Sequence, residues 1–264
     1  MTETRAPAAL LDALAGLAEA APATLLRDVG TALGVGDQYV VVDGPTGPVW
    51  VAFSERGINL LTTAADEQDF LEQYLSRWGP RPLRPAAVPP PRLAAALRPP
   101  TAGEATRLTY DLGALSPFQQ AVLRKTAEIP PGEVRPYAWV AREMGQPGAV
   151  RAVGSALGRN PVPILIPCHR VVRSDGRIGN YALGTPMKTR LLSEEGVDVA
   201  ELARLAAEGI RYVGNEPSRC YCLPTCEIAR RTPAVDRRLF RTAAQAVSAG
   251  FTPCRRCRPV AEDG

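Results

Sequence analysis

The chain has 264 residues, 45% of them hydrophobic and 22% charged, a balance that favours a folded globular protein over disorder. No apolar run approaches the ~20 residues that a bilayer-spanning helix needs. The opening stretch MTETRAPAALLDALAGLAEAAP has neither the basic start nor the unbroken apolar centre of a signal peptide, so a cytoplasmic protein with no membrane partner is expected. The net charge of +4 is unevenly spread: residues 1–100 hold 8 basic and 11 acidic side chains, residues 101–210 hold 13 and 11, and residues 211–264 hold 10 and 5. That gradient points to a polyanionic partner for the C-terminal two-thirds, although a charge of this size also serves solubility alone. All six cysteines lie from residue 168 onward. Without a signal peptide they read as metal ligands plus a reactive thiol rather than as disulfides.

In chain order, residues 1–35 contain Ala/Leu-rich helical stretches. Alternating apolar residues (Val40 and Val42, then Val49, Val51 and Phe53) flank Gly-Pro turns and predict antiparallel strands. Phe70, Leu71, Leu75 and Trp78 fall at helical spacing between Asp66 and Trp78. Residues 79–100, with three consecutive prolines at 89–91, read as a linker or an irregular strap. Ser116-Pro117-Phe118-Gln119 carries the cap, the first-turn proline and the capping-box partner of a helix reaching about Glu128. A second short helix is expected over Ala138–Met144, ended by Gly145, and a third after Pro147-Gly148. Three short helices with tight turns make a helix-turn-helix pattern, which an ordinary helical bundle shares. Asp175-Gly176 marks a tight hairpin turn. Helices are then expected from Thr185 to Gly196 and from Val199 to Glu208.

The segment PVPILIPCHRVV is β-branched, yet its three prolines argue against a regular central strand. Cys168 stands beside His169, the only histidine. A free thiol is only a few per cent ionised at neutral pH, so thiolate chemistry needs a base or a positive charge nearby. On an extended segment adjacent side chains point to opposite faces; a water bridging Cys168 and His169 is then the natural proton path. A buried structural cysteine with an incidental histidine fits the spacing equally well.

Residues 116–196, centred on NPVPILIPCHRVV, resemble the O6-alkylguanine-DNA alkyltransferases without a gap, and residues 39–62 resemble that family's N-terminal domain more loosely. The resemblance implies a ribonuclease-H-like α/β N-terminal domain. It also implies a mainly α alkyltransferase domain of helix-turn-helix, winged-helix-like form. The implied activity is single-use transfer of an alkyl group from O6-alkylguanine, or O4-alkylthymine, in double-stranded DNA to Cys168, with no cofactor for that step. His169 would be the base, Glu195 its orienting partner, and Asn160 the residue that holds the active-site turn. Tyr137 would assist the leaving guanine or rotate the target phosphate, while Tyr181 and Lys188 would line the pocket. Arg151 would replace the base extruded from the stack. Ala152, Gly154 and Ser155 would let the same helix approach the minor groove closely. A non-catalytic lesion-binding protein is disfavoured because Cys168 is present. A thiol hydrolase using Cys168, His169 and Glu195 would differ by turning over small esters or amides.

Cys222-x3-Cys226 and Cys254-x2-Cys257 are two pairs 27 residues apart, a four-thiolate zinc signature that suits a small module needing a staple. Cys220 is left over. The block from Arg211 to Pro259 resembles the zinc domain of bacterial adaptive-response proteins, which implies structural Zn2+ and makes Cys222 a possible second methyl acceptor, from phosphotriesters. Arg230, Arg231, Arg255, Arg256 and Arg258 are candidate phosphate contacts. In those proteins the zinc domain usually comes first, whereas here it follows. The expected layout is a helical extension at 1–35, the α/β domain at 36–105, the alkyltransferase domain at 106–200, a linker helix at 201–210 and the zinc domain at 211–260, working as a monomer.

Overall fold

The computed structural model describes residues 36–98 and 105–260, together with positions 25, 29 and 30. The extension expected at 1–35 therefore lies almost wholly outside the described residues. Strands β1 (Asp37–Gly44), β2 (Gly47–Ser54) and β3 (Gly57–Thr62) form an antiparallel meander. Its two faces are covered differently. Tyr39, Ala52 and Leu60 pack against Phe70 and Tyr74 of helix α1 (Glu67–Trp78). Val40, Val49, Val51, Ile58 and Leu61 point the other way, into the core of the helical part. Because both faces are covered, β3 is buried almost throughout, enclosing Asn59 and Thr62 along with Ile58, Leu60 and Leu61.

The proline-rich segment holds more structure than a linker. Leu83–Pro85 forms β4, parallel to β1, with Asp37 opposite Leu83 and Tyr39 opposite Pro85. It is the edge strand of the order β3-β2-β1-β4, where a proline need not donate to a ladder. A single turn, α2 (Leu93–Ala96), follows and buries Leu93.

Helix α3 (Pro117–Ala127) begins with a complete capping box: Ser116 Oγ accepts from Gln119 N at 3.3 Å, and Gln119 Oε1 accepts from Ser116 N at 3.0 Å. Helices α4 (Tyr137–Glu143) and α5 (Val150–Gly158) are joined through Gly145 at φ +73° and a 3-10 turn at Pro147–Ala149. On α5, Val153, Ala156 and Leu157 are buried while Arg151, Ala152 and Ser155 are exposed, so one face packs and the other is presented.

The Asp175-Gly176 turn forms, with Arg173 N bonded to Arg177 O at 3.0 Å and Gly176 at φ +79°, but no hairpin surrounds it. The residues before it, β6 (Val171–Val172), pair in parallel with β5 (Arg135–Pro136). Helices α6 (Thr185–Glu194) and α7 (Val199–Ala207) follow. Residues 201–210 are no free tether, because Leu202 packs with Val134, Val172, Leu192 and Val197.

The last module is a second sheet, order β10-β8-β7-β9, from β7 (Tyr212–Asn215), β8 (Cys220–Cys222), β9 (Arg237–Phe240) and β10 (Thr252–Pro253). Short helices α8 (Glu227–Arg231) and α9 (Ala243–Ser248) complete it. Its core is four aromatic rings (Tyr212, Tyr221, Phe240, Phe251) and four cysteines. The chain is thus a mixed α/β protein with a separate cysteine-clustered module. No helix among the described residues is long and apolar enough to cross a membrane.

Candidate active site and metal centre

The thiol segment is a loop pinned at several points. Asn160 Nδ2 donates to Ile166 O at 2.9 Å and to Cys168 Sγ at 3.1 Å, while its Oδ1 accepts from Val162 N at 3.0 Å. The backbone of Leu61 in β3 donates to Pro161 O at 2.8 Å. Between these anchors Ile164 adopts φ +73°, a left-handed conformation that is costly for a β-branched residue. The prolines prevent a strand from forming, and Cys168–Arg170 is a 3-10 turn instead.

Cys168 is 5% exposed and His169 is 1% exposed. His169 Nε2 lies 2.9 Å from Glu195 Oε1. A carboxylate can only accept, so the Nε2 proton points to Glu195 and Nδ1 keeps the lone pair that can take a proton. Nδ1 is buried and makes no hydrogen bond within the chain. Arg170 grips the same carboxylate twice, Nε to Oε2 at 2.9 Å and Nη2 to Oε1 at 2.8 Å, and donates to Ile129 O at 2.5 Å. Sequence reasoning assigned Arg170 no role, although it stands in the Pro-Cys-His-Arg core.

Burial is the largest influence on each ionisable group here. It pushes the Cys168 thiol up, against the Asn160 N–H and the charge of Lys188, which favour the thiolate. It pushes His169 down, outweighing Glu195, so the imidazole rests neutral. Burial also disfavours the Glu195 carboxylate, but the hydrogen bonds and charges of His169 and Arg170 together prevail and hold it at about 2. Lys188 is fully buried, donates to Val171 O at 2.6 Å and Asn180 O at 3.4 Å, and is lowered by burial to about 8. Tyr181 meets the His169 ring edge-on with centroids 6.1 Å apart.

Tyr137, at the first position of α4, shares an open cleft of about 650 Å³ with Val150, Arg151, Gly154, Arg173, Ser174 and Asp175. A Cβ on Gly154 would stand 3.9 Å from the Tyr137 ring, an ordinary van der Waals distance, so helix α5 passes close beside that ring. The Tyr137 hydroxyl is raised by burial and by the nearby Cys168. Ala152 and Ser155 lie exposed on the same helix, with Ser155 Oγ bonded to Arg151 O at 3.2 Å. The fold therefore gathers two groups: Asn160, Cys168, His169, Lys188, Tyr181 and Glu195 inside, and Tyr137, Arg151 and Gly154 at the mouth.

Cys222, Cys226, Cys254 and Cys257 have all their sulfurs within 4.8 Å of one another, and all four are buried. Zn–S bonds of about 2.3 Å put the corners of a tetrahedron roughly 3.8 Å apart, so the donor set and its spread fit zinc. Leu223 N donates to Cys257 Sγ at 3.3 Å, the type of N–H contact that steadies a coordinating thiolate. Cys220 lies outside the cluster, half-buried, with its sulfur 3.1 Å from Ser218 Oγ. Four of the five candidate phosphate-binding arginines are engaged within the chain. Arg230 donates to Thr225 O, Arg231 pairs with Glu227, Arg256 with Glu133 and Glu227, and Arg258 with Glu143. Beside these carboxylates the side chains of Arg231, Arg256 and Arg258 stay 80%, 48% and 50% exposed.

Two family models match: "6-O-methylguanine DNA methyltransferase, DNA binding domain" over residues 117–197, and "Metal binding domain of Ada" over residues 203–260. The second match and the four-sulfur cluster together make the C-terminal module a structural zinc site. A methylated-DNA–protein-cysteine methyltransferase of Rattus norvegicus is 34% identical over 190 residues, covering 67% of this chain and 90% of the relative. One of Mycobacterium bovis is 35% identical over 158 residues, covering 60% of this chain and 91% of the relative. The crystal structure of the O6-methylguanine methyltransferase of Mycobacterium tuberculosis is 30% identical with a TM-score of 0.48, covering 60% of this chain and 92% of that one. On its likeness to the Rattus norvegicus relative, 90% of which it covers at 34% identity, the chain belongs to the methylated-DNA–protein-cysteine methyltransferase family.

Proposed function

We propose that the protein repairs alkylated double-stranded DNA by moving the alkyl group of O6-alkylguanine, or O4-alkylthymine, irreversibly onto Cys168. The observation that carries this is the single thiol held between two polar systems: Asn160 on its sulfur, and the neutral His169 beside it, oriented by Glu195 and Arg170. His169 Nδ1 takes the Cys168 proton, through water. The sulfur forms a bond to the alkyl carbon as the carbon–O6 bond breaks, and the electron pair stays on the purine. The proton lost by sulfur ultimately restores the N–H of guanine, with the Tyr137 hydroxyl donating toward the leaving base. The thioether product has no leaving group to release, so each molecule acts once.

The lesion must leave the stack to reach a sulfur that is 5% exposed. Arg151, exposed on α5 beside the Tyr137 cleft, fills the gap; Ala152, Gly154 and Ser155 allow close approach to the minor groove, and Tyr181 and Lys188 form the pocket wall. A ribonuclease-H-like reading of residues 36–105 is supported by the meander with its parallel edge strand, and a winged-helix-like reading of 106–200 by α3–α5 and the 173–177 turn. In this reading 201–210 joins that unit to the zinc module at 211–260. The protein works as a cytoplasmic monomer.

The test is to react the protein with duplex DNA carrying one O6-methylguanine. One methyl is expected on Cys168 per molecule, with guanine restored and no second turnover. A Cys168→Ala protein that still empties the lesion would overturn the assignment. Cys222 is the candidate second acceptor. Peptide mass spectrometry after exposure to methylphosphotriester DNA is expected to find methyl on Cys222, and an unmodified Cys222 beside a modified Cys168 would leave the module a docking unit.

A further inference from the structure

The metal centre and the DNA-facing helix meet at one surface. On one flank of α4, side chains reach the main-chain carbonyls of the metal-binding knuckle. The Trp139 indole N–H, on a ring 3% exposed, donates to the carbonyl of Cys257 at 2.9 Å. Arg142 donates to the carbonyl of Pro259 at 2.9 Å and to that of Arg258. Around these contacts Val134 N donates to Thr225 Oγ1 at 2.8 Å, buried Glu133 pairs with Arg135 and Arg256, and Arg258 pairs with Glu143 at 2.7 Å.

At its start the same helix carries Tyr137, in the mouth of the cleft. The two residues before Tyr137 form the parallel ladder with Val171–Val172, a short step from Cys168. The pose of α4 is therefore fixed by the thiol segment at one end and by the knuckle along its flank. The direction of the Cys257 carbonyl depends on where the Cys257 sulfur is held, and four thiolates brought together without a cation would repel one another.

We propose that Trp139 and Arg142 are positioning residues through which the zinc site sets the pose of α4, so that zinc binding and duplex binding are linked. This rests on the reading above only in taking duplex DNA as the partner of the Tyr137–Arg151 face. Linkage between two binding equilibria is reciprocal. If bound zinc favours the DNA-competent pose, duplex DNA tightens zinc by the same factor. Zinc then contributes to repair without touching the alkyl group.

The test uses the full chain and undamaged duplex, so that no transfer consumes it. Zinc affinity is measured by equilibrium competition with a chromophoric chelator, with and without saturating duplex. Duplex is expected to tighten zinc by at least about five-fold. In Trp139→Phe, which keeps an aromatic ring but removes the donor, the factor is expected to fall towards one. A variant that merely weakened the module would lower both affinities and leave their ratio intact. If Trp139→Phe does not fold, as judged by circular dichroism, Arg142→Gln serves the same comparison. An unchanged zinc affinity on adding duplex, or an unchanged ratio in the folded variant, overturns the proposal. Methyl transfer to Cys168, scored separately, reports on the repair reading: linkage without transfer would sink that reading alone, and transfer without linkage would sink this one.

Discussion

Two sets of buried sulfur sit in this molecule, and their surroundings give them opposite chemistry. Cys168 is alone in a mostly apolar core with one amide N–H on its sulfur and a neutral imidazole next in sequence. Burial favours its protonated form, so it rests as a thiol. Cys222, Cys226, Cys254 and Cys257 crowd within 4.8 Å, an arrangement that a divalent cation stabilises by keeping all four deprotonated. The contrast shows that burial alone does not decide a cysteine's role. One sulfur with a proton acceptor is available for transfer, and four sulfurs round a metal are committed to holding a fold together.

The sharpest way to break that contrast is Cys168→Ala. Methyl transfer from O6-methylguanine DNA is expected to vanish, while duplex binding in an anisotropy assay and zinc content stay as in the parent. Cys257→Ser is the mirror experiment. Bound zinc is expected to fall from one per chain to a small residue, and amides of residues 211–260 to lose protection in hydrogen exchange.

Glu195→Gln probes the base rather than the sulfur. It removes the negative charge that orients the histidine and replaces one acceptor oxygen with a donor, and single-turnover transfer is expected to slow by ~100-fold. It also changes acid stability. A carboxyl held at about 2 in the folded state against its ordinary 4.5 contributes stability that is present above its unfolded value and is lost as pH falls through the folded one. The parent should therefore lose up to about 3 kcal/mol between pH ~4.5 and pH ~2 that the variant does not, as measured by urea unfolding across that range.

A smaller effect is expected from Asn160→Ala, which leaves Val162 N without its acceptor and takes the amide donor from Cys168 Sγ, while Ile166 O keeps the Cys168 N–H. It should cost about 2–3 kcal/mol in urea unfolding. The smallest belongs to Cys220→Ser: zinc content and melting temperature should not move, since that sulfur stands outside the cluster.

Features carried by local chemistry were legible in the sequence. The Ser116–Gln119 capping box and the short spacing inside each cysteine pair depend on residues close in the chain, and both appear in the structure where their pattern placed them; the Asp175-Gly176 turn forms too, though without the hairpin expected around it. Features that depend on a distant partner were not. Strand β4 is disguised by its prolines because its hydrogen bonds come from β1, more than forty residues earlier. The Trp139–Cys257 contact spans the whole helical part, and no periodicity announces it. The ion pairs of Arg256 and Arg258 were hidden in the same way, since their partners Glu133 and Glu143 lie more than a hundred residues upstream. Arg170 was hidden differently: its neighbours in sequence drew the attention that its grip on Glu195 merits.

The left-handed Ile164 has a consequence for how the thiol loop ages with damage. A side chain branched at Cβ resists that dihedral by about 1–3 kcal/mol, so the loop is wound against its own preference and kept so by Asn160 and by the Leu61–Pro161 bond. A wound spring responds locally: cutting one retaining bond should let residues 160–167 relax towards extended backbone while the helices around them stay folded. Ile164→Gly would remove the tension but also a side chain that is 9% exposed in the core, leaving a chain that melts earlier and presents its sulfur less sharply.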